Sequence, residues 1–414
     1  MTKITDIPAI RFKGFSDTWE QRKLSEIATM HARIGWQNLR TSEFLDNGDY
    51  MLITGTDFMD GAVNFDTCHY VERERYEQDK HIQIRNGSIL ITKDGTLGKV
   101  AYIQGLTMPA TLNAGVFNVE IRDEKEVDNR YLFQYLKAPF LMDYVDKKAT
   151  GGTIKHLNQN ILVDFPVVLP QKDEQAKIGE YFLGIDNLIT LHQRKYDKLT
   201  NVKKSMLGKM FPQNGSNVPE IRFKGFTEAW EQRKVGDLLI ERNQQAPMSD
   251  EYPLMAFIAN EGVAPKGDRY DRSALVTDTA NKLYKKTEIG DFIYSSNNLE
   301  TGSIGLNKYG KACISPVYSI FEPTGIADSD FLGRRLVRKD FINAMVKWRQ
   351  GVIYGQWRIH ESDFLKIEIP VPSVVEQRKI GAYLDQLDRL ITLHQRELEK
   401  LKNLKKACLE KMFV

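Results

Sequence analysis

Residues 178–211 read IGEYFLGIDNLITLHQRKYDKLTNVKKSMLGKMF, and this stretch returns at residues 380–413 as IGAYLDQLDRLITLHQRELEKLKNLKKACLEKMF. Of the 34 aligned positions, 20 are identical. In both copies, apolar residues recur at alternating spacings of three and four, which is the heptad pattern of helices that pack side by side. The pattern predicts long helices over residues 174–210 and 376–412, each about 55 Å long at 1.5 Å per residue.

Each predicted helix carries a narrow apolar seam. The seam residues, in chain order, are Ile178, Ile185, Leu188, His192, Leu199, Val202, Ile380, Leu387, Leu390, His394, Leu401 and Leu404. A stripe this narrow cannot stabilise an isolated helix, so we expect the two helices to pair with each other about a pseudo-two-fold axis.

Two seam residues are histidines, His192 and His394, and each lies in an identical LITLHQR. A polar residue at a seam position commonly fixes the register and orientation of paired helices, and we favour that interpretation. Metal binding is a weaker alternative, because two histidines without a nearby acidic or thiol ligand supply at most half a site. We therefore predict no metal site in the chain.

A second, shorter stretch is also repeated. PAIRFKGFSDTWEQRKL begins at Pro8 and PEIRFKGFTEAWEQRKV begins at Pro219, with 12 of 17 positions identical. The order is short repeat, variable stretch and helical repeat, and then all three again, which indicates a tandem duplication. We predict a first repeat with its domain over residues 1–172, a helix over 173–212, a second repeat with its domain over 213–373, and a second helix over 374–414.

The variable stretches mix strand and helix patterns. Short apolar runs bounded by Gly, Asn and Asp predict strands at residues 88–93, 115–121, 291–296 and 317–323. Helical patterns lie at residues 129–145 and 329–348, and each domain ends in a proline-bearing strand just before its long helix. The fold class is therefore α+β, with two globular domains and two long helices.

Composition restricts the class of protein. The 414 residues are 42% hydrophobic and 27% charged, as in globular proteins, with no long apolar run and no secretory signal. We expect a cytoplasmic protein without membrane association. Three widely spaced cysteines form neither a disulfide framework nor a CxxC metal site, so we expect them to be reduced and buried.

Sequence motifs of catalysis are missing from the chain. The spacings of the phosphate loop, the dinucleotide fingerprint, HExxH and GxSxG do not occur. No Pro-Pro is present, which excludes the Asn/Asp-Pro-Pro-aromatic box of amino-methylating enzymes. An enzyme acting alone is therefore not expected.

The order of segments resembles the specificity subunit of type I restriction-modification systems. The residues that carry the resemblance are IRFKGF and WEQRK, then PVVLP before EQAKIGEYF, and PVPSVV before EQRKIGAYL. The resemblance covers essentially the whole chain. It implies two target-recognition domains that each read half of a bipartite, double-stranded DNA site, and two antiparallel helices that separate them as a coiled coil.

The resemblance also implies that catalysis lies in partner subunits. Two modification subunits would methylate adenine with S-adenosylmethionine, and restriction subunits would use ATP and magnesium to translocate and cut DNA. This chain itself would bind no cofactor. Two alternatives stay open: a specificity module of another class of restriction-methylation enzyme, and a coiled-coil adaptor without DNA specificity.

Charge is unevenly distributed. The net charge is −4 over residues 20–170, zero over 213–373, and +3 over each of 171–212 and 374–414. A protein that binds DNA unaided usually shows a basic excess, because neutralised phosphates supply most of the nonspecific affinity. We infer that partner subunits supply much of the phosphate contact.

Candidate base-reading residues are amide, hydroxyl and cationic side chains in polar loops, because Arg and Lys suit guanine edges and Asn and Gln suit adenine. In the first domain they are Arg33, Gln37, Asn38, Lys93, Thr96, Lys99, Thr153 and Lys155. In the second they are Arg242, Asn243, Gln244, Asn297, Asn298, Thr301, Tyr354, Gln356 and Arg358. Each of them could instead be a solvated turn residue.

The short repeat carries equivalent aromatic residues, namely Phe12, Phe15, Trp19, Phe223, Phe226 and Trp230. Packing between domain and helix is one interpretation of these aromatics. Contact with a modification subunit is the other, and the two are compatible.

Overall fold

The computed structural model describes residues 2–3, 8–148, 157–213, 215–265, 282–353 and 356–413. Contacts divide the chain into two units. The first unit contains residues 1–193 and 396–414, and the second contains residues 194–395. Each unit therefore includes one domain and a part of both long helices.

The strands of the first unit form, within the described residues, three sheets and one hairpin. Their bounds are Thr2–Lys3 (β1), Glu20–Lys23 (β2), Ala28–His31 (β3), Tyr50–Ile53 (β4), Phe58–Met59 (β5), Ala62–Val63 (β6), His69–Val71 (β7), Gln83–Ile84 (β8), Ile89–Thr92 (β9), Val100–Tyr102 (β10), Ala110–Leu112 (β11), Val116–Ile121 (β12) and Pro166–Leu169 (β13). The sheet orders are β1-β2-β13, β10-β9-β12-β3 and β7-β4-β11-β8, with a β5-β6 hairpin. Strands β4 and β11 are parallel.

The helices that begin in the first unit are Leu24–Ile27 (α1), Arg73–Glu77 (α2), Asn129–Lys137 (α3), Phe140–Lys148 (α4), Gln159–Val163 (α5) and Lys172–Lys209 (α6). Short 3-10 helices lie at Gly35–Gln37, Thr41–Glu43, Gly55–Asp57, Phe65–Thr67 and Lys80–Ile82. The Asp128 carboxylate caps α3 by accepting hydrogen bonds from two of its first peptide N–H groups. Pro139 separates α3 from α4, because proline cannot continue a helix that is already formed.

The second unit repeats much of this plan. Its strands are Glu231–Lys234 (β14), Leu239–Glu241 (β15), Gln245–Ala246 (β16), Ala256–Ile258 (β17), Gly262–Ala264 (β18), Tyr284–Thr287 (β19), Phe292–Tyr294 (β20), Ile304–Leu306 (β21), Ala312–Ile314 (β22), Ser319–Pro323 (β23), Gln350–Ile353 (β24), Gln356–Arg358 (β25) and Glu368–Val371 (β26). The helices are Val235–Leu238 (α7), Ser329–Arg335 (α8), Lys339–Val346 (α9), Glu361–Phe364 (α10) and Val374–Met412 (α11). The sheets are ordered β14-β26, β15-β23-β20-β21 and β16-β19-β22, with hairpins β17-β18 and β24-β25.

The α+β fold with two long helices is confirmed. Strands β9, β12, β20 and β23 lie where the apolar runs predicted them, and α6 and α11 each begin two residues before the predicted position. No helix within the described residues carries an apolar stretch long enough to span a membrane.

The central sheet of each unit is covered on both faces. In the first unit, Ile89 and Ile91 of β9 face a core that contains α3 and the ends of the long helices, whereas Leu90 faces a smaller core with β4 and β11. The side chains of a strand alternate between the two faces of its sheet, so β9 is apolar at successive positions. In the second unit, Phe292 and Ile293 are divided between two cores in the same way.

The long helices contact each other in antiparallel fashion. In the first unit, the Asp186 carboxylate on α6 pairs with the Lys405 ammonium on α11 at 2.6 Å. In the second unit, the equivalent pair has its members exchanged, with Lys203 on α6 and Asp388 on α11. Each pair joins an early part of one helix to a late part of the other, which is the antiparallel direction.

Burial along the predicted seam is uneven. Ile178, Ile185, Ile380 and Leu387 are buried, and His192, Leu199, Val202, His394 and Leu401 are half-buried. The seam prediction is wrong for the exposed leucines Leu188, Leu390 and Leu404. The fully buried seam positions pack against a domain core as well as the other helix. The three exposed leucines belong to neither of the two main cores.

The two repeated motifs meet in an ion pair. The Arg11 guanidinium of the first short repeat donates two hydrogen bonds of 2.7 Å to the buried Glu174 carboxylate at the start of α6. In the second unit, Arg222 binds Glu376 at the start of α11 in the same way, at 2.8 and 2.7 Å. The duplicated Arg and Glu therefore attach each short repeat to its long helix.

A buried glutamine attaches each domain to its long helix. The Gln175 side chain accepts a hydrogen bond from the Asp128 peptide N–H at 2.9 Å and donates to the carbonyls of Glu126 and Pro170 at 3.0 and 2.8 Å. Gln377 makes the equivalent bonds in the second unit, to the peptide groups of Asp328, Ile326 and Pro372. We call these two sets of bonds the glutamine joints.

Gly179 lies where α6 crosses α3, and a Cβ atom there would meet the peptide nitrogen of Tyr131 at 2.6 Å. We expect Gly179→Ala to destabilise the first unit by about 1–3 kcal/mol, because backbone atoms must shift to relieve the contact. Gly184 in the same helix has open space around it, so Gly184→Ala should stabilise by about 0.5–1 kcal/mol. Urea denaturation of both variants measures the difference, and equal effects would contradict the close approach.

Burial lowers the pKa of the Lys405 ammonium to about 8, although Asp186 opposes the shift. The unfolded chain keeps this proton up to about pH 10.5, so between pH 8 and 10.5 the unfolded state binds more protons and stability rises with pH. From pH 7.5 to 9.5 the gain is about 2 kcal/mol. Lys405→Met should lose this gain, whereas Lys402→Met, which removes an exposed lysine of the same helix, should keep it. Denaturation midpoints at the two pH values test this, and an unchanged gain in Lys405→Met would refute it.

Candidate nucleic-acid interface

The loop between β9 and β10 is one candidate interface in the first unit. Its turn is closed by hydrogen bonds from the Gly98 and Lys99 peptide N–H groups to Thr92, at 2.9 Å to the carbonyl and 3.0 Å to the hydroxyl. Thr96 and Lys99 are exposed, and the Lys93 ammonium lies 5.4 Å from the centre of the Phe117 ring. The loop therefore has an ordered backbone and presents a hydroxyl and an ammonium group outward.

The equivalent loop in the second unit connects β20 to β21. Hydrogen bonds join Ser295 N–H to Ser303 C=O at 2.8 Å and Ser303 N–H to Asn298 C=O at 2.9 Å. Asn298 and Thr301 are exposed and Asn297 is half-buried. The two loops therefore occupy equivalent places on equivalent sheets, but one presents a cation and the other presents amides.

Arg33 does not extend from a loop, and the prediction that it reads bases is wrong. The residue is 2% exposed, and its guanidinium donates to the carbonyls of Leu112 and Arg75 at 2.7 and 3.0 Å and to the Gln78 amide oxygen at 2.9 Å. Burial lowers the pKa of Arg33. These contacts tie β3 to the neighbouring sheet, so the guanidinium stabilises the domain.

Gln37 is also buried, and its side-chain oxygen accepts a hydrogen bond from the Ile34 peptide N–H at 3.2 Å. Its prediction as a base reader is therefore wrong for the same reason as that of Arg33. Asn38, the next residue, is exposed and stays a candidate.

Arg242 in the second unit is held by two carboxylates. Its guanidinium lies 2.9 Å from Asp291 and 2.6 Å from Glu322. Burial raises the pKa of Asp291, and Arg242 opposes that shift. With its guanidinium engaged in this way, Arg242 is a poor base reader, whereas the adjacent Asn243 and Gln244 are exposed.

The remaining base-reading candidates lie in two segments. Thr153, Lys155 and Tyr354 fall outside the described residues. Gln356 and Arg358 lie in β25, and Arg358 is exposed.

The aromatic residues of the short repeats pack inside their own unit. Trp19 and Trp230 are almost fully buried in the two main cores, so their prediction as partner contacts is wrong. The other four are half-buried and contact the long helices. Phe12 lies against Tyr181, Phe223 against Tyr383, Phe15 against Lys177 and Phe226 against Lys379.

Two features were missed in the sequence. The glutamines of the glutamine joints belong to the repeated EQ pair, so the duplication could have drawn attention to them. Their hydrogen-bond partners are backbone atoms, which no sequence pattern reveals. The side chains of His31, His81 and Glu120 converge in the first unit although they are far apart along the chain. No local motif could have indicated that cluster.

The type I restriction modification DNA specificity domain model matches twice, over residues 16–201 and 227–403. The chain belongs to this family. As a type I specificity subunit it recognises DNA sequence and is not itself catalytic, because catalysis in these systems resides in other subunits. The resemblance noted in the sequence is thereby confirmed.

Relatives matched over most of their length are also specificity subunits. The chain is 25% identical to the MjaX specificity subunit of Methanocaldococcus jannaschii over 98% of this chain and 93% of that protein. It is 25% identical to the type I restriction enzyme MjaVIII specificity subunit of the same organism, over 79% of this chain and 78% of that one. The crystal structure of the S subunit from M. genitalium has the same fold, with a TM-score of 0.63, 16% identity and coverage of 98% and 99%.

Proposed function

We propose that this specificity subunit reads an asymmetric, bipartite DNA site with a gap of fixed length. One observation carries the proposal. The ion pair that attaches each short repeat to its long helix is the same in both units, Arg11–Glu174 and Arg222–Glu376, whereas the equivalent loops differ chemically. Lys99 and Thr96 lie on one loop, and asparagines lie on the other. Loops of different chemistry at equivalent places in the two units favour two half-sites of different sequence.

The gap would follow from the paired helices. Helices α6 and α11 contain 38 and 39 residues, which correspond to roughly 57 Å at 1.5 Å per residue. Major-groove readers that bind one face of DNA are spaced in turns of about 34 Å. A stiff helix pair of this length supports a fixed separation of the two half-sites.

Partner subunits complete the function. We propose two modification subunits, which methylate adenine with S-adenosylmethionine, and restriction subunits, which use ATP and magnesium, all in the cytoplasm. The recognition domains have no basic excess, which supports a phosphate contact shared with these partners. We propose one docking surface in each unit, formed by the exposed leucines of its LITL segment: Leu188 and Leu191 of α6 in the first unit, and Leu390 and Leu393 of α11 in the second.

The docking surface predicts a specific loss of assembly. Replacing Leu390 and Leu393 by aspartate should leave the second unit folded, because both side chains are exposed, but should reduce the co-purified modification subunit from the proposed two copies to one. Leu283→Asp, at an exposed leucine outside the helices, is the control. Full retention of the partner by the double variant would exclude this surface.

Sequencing of methylated bases tests the proposed function. Deletion of the gene should remove one asymmetric, gapped adenine-methylation motif from the genome, and the intact gene should restore it. The coiled-coil adaptor alternative predicts unchanged methylation, and that result would reject our proposal. Loss of an ungapped motif would favour another class of restriction-methylation enzyme.

A further inference from the structure

A cluster of metal-ligating side chains lies on the central sheet of the first unit. His31 is the last residue of β3, Glu120 lies in the adjacent strand β12, and His81 lies in the 3-10 helix at 80–82. The register places Glu120 opposite Thr29, and His31 opposite Asn118. Because opposed residues and residues two apart share a face, His31 and Glu120 project from the same side of the sheet.

His81 is held over this face through its backbone. The Asn118 side chain donates to the His81 carbonyl at 2.9 Å, and the Asp79 carboxylate accepts from the His81 peptide N–H at 2.9 Å. The imidazole rings of His31 and His81 stack with their centres 4.4 Å apart. The fold therefore fixes the backbone of His81, and its imidazole lies against that of His31.

The distances suit a single cation. Glu120 Oε2 lies 3.7 Å from His31 Nε2 and 3.8 Å from His81 Nδ1, and all three ligand atoms lie within 4.8 Å of one another. Zinc bonds of about 2.0–2.2 Å in tetrahedral geometry separate neighbouring ligand atoms by roughly 3.3–3.5 Å. Small rotations of two exposed side chains would close the remaining difference.

The second unit supplies an internal comparison. Strands β15 and β23 pair Ile240 with Glu322 as β3 and β12 pair Thr29 with Glu120, so Glu322 is the equivalent of Glu120. Two residues after Ile240, at the position of His31, stands Arg242, which binds Glu322 at 2.6 Å. One unit therefore supplies a fixed cation to this carboxylate, and the other supplies two imidazoles at distances too long for a direct bond.

We propose that His31, His81 and Glu120 form a binding site for a divalent transition-metal ion, of which zinc is the best match. Two histidines and one glutamate are an established zinc ligand set that leaves a fourth position for water. His81 and Glu120 also line a cavity of about 330 Å³ together with Arg85, Asn118 and Asn129, which gives solvent access to the site. The ion joins the 3-10 helix to both strands. This inference does not depend on the proposed DNA target.

Cobalt titration of the purified full-length chain tests the site. After treatment with EDTA, one equivalent of Co²⁺ should produce the visible absorption of a tetrahedral ion, and Zn²⁺ should displace it. His31→Ala and His81→Ala should each weaken binding by more than the roughly 10- to 100-fold that loss of an outer-shell partner costs. Glu120→Gln should weaken it while preserving shape, and circular dichroism in EDTA should match that of the parent.

His69→Ala is the matched control, because His69 lies in the same unit and contacts Phe44 outside the cluster. It should bind Co²⁺ as tightly as the parent. The proposal is overturned if the parent shows no saturable site, if His31→Ala and His81→Ala bind as tightly as the parent, or if His69→Ala loses binding equally.

Discussion

Arg11→Ala should destabilise the first unit by about 3–5 kcal/mol, which is the usual effect of leaving a buried carboxylate without its partner. Glu174 has no solvent exposure, and both of its oxygens accept from the Arg11 guanidinium at 2.7 Å. The same guanidinium also donates to the Asp17 carbonyl at 2.7 Å. Arg11→Ala therefore leaves the buried Glu174 carboxylate without its cationic partner.

The measurement is urea denaturation followed by circular dichroism, with Lys13→Ala as the control because Lys13 is an exposed cation of the same repeat. Arg222→Ala should affect the second unit similarly, since Glu376 is equally buried. The double variant Arg11→Met with Glu174→Gln should recover part of the loss, because it removes the buried charge. A loss below about 1 kcal/mol in Arg11→Ala would place this pair among ordinary surface ion pairs.

Alanine substitution of Asn297, Asn298 and Thr301 together should abolish selective binding to one half-site. A bidentate amide contact with adenine contributes about 1–3 kcal/mol of discrimination, and the loop offers two such amides. The backbone of this loop is held by Ser295 and Ser303, so the substitutions change its surface without removing its closing bonds. Asn201→Ala, an exposed asparagine of α6, is the control.

Lys99→Ala in the first unit should act differently. Loss of its ammonium contact with a guanine edge should weaken binding to the other half-site alone, by about 1–3 kcal/mol. An equal loss for all sequences with a salt slope smaller by about one would instead identify Lys99 as a phosphate contact. Both effects are measured by binding of the specificity subunit with its modification partners, at several salt concentrations, to full sites and to sites scrambled in either half. Unchanged binding of the asparagine variant to every site would exclude the loop between β20 and β21 from recognition.

The repeated elements were predictable because their signals are local. The heptad spacing alone predicted α6 and α11 to within two residues at their starts, and the apolar run at 88–93 predicted β9. Base-reading residues were harder to predict. Arg33 and Lys99 look alike in the sequence, but only the tertiary fold shows that Arg33 is enclosed by carbonyls of other segments and Lys99 is not.

Burial along the helix seam was also only partly predictable from the sequence. Periodicity placed Leu188 and Ile185 on one stripe, but burial depends on what covers the stripe, and only Ile185 reaches a domain core. His31 and Glu120 could not be joined from sequence, because strand pairing between residues so far apart is decided by the fold.

The glutamine joints have a consequence for how such proteins diversify. Gln175 and Gln377 form hydrogen bonds with peptide N–H and carbonyl groups, which are backbone groups that hardly depend on the amino-acid type. A domain of quite different sequence could be exchanged at either position and still form these hydrogen bonds, provided that its backbone follows the same path beside the glutamine. New specificities could therefore arise by recombination of whole domains, without any adjustment of the attachment itself.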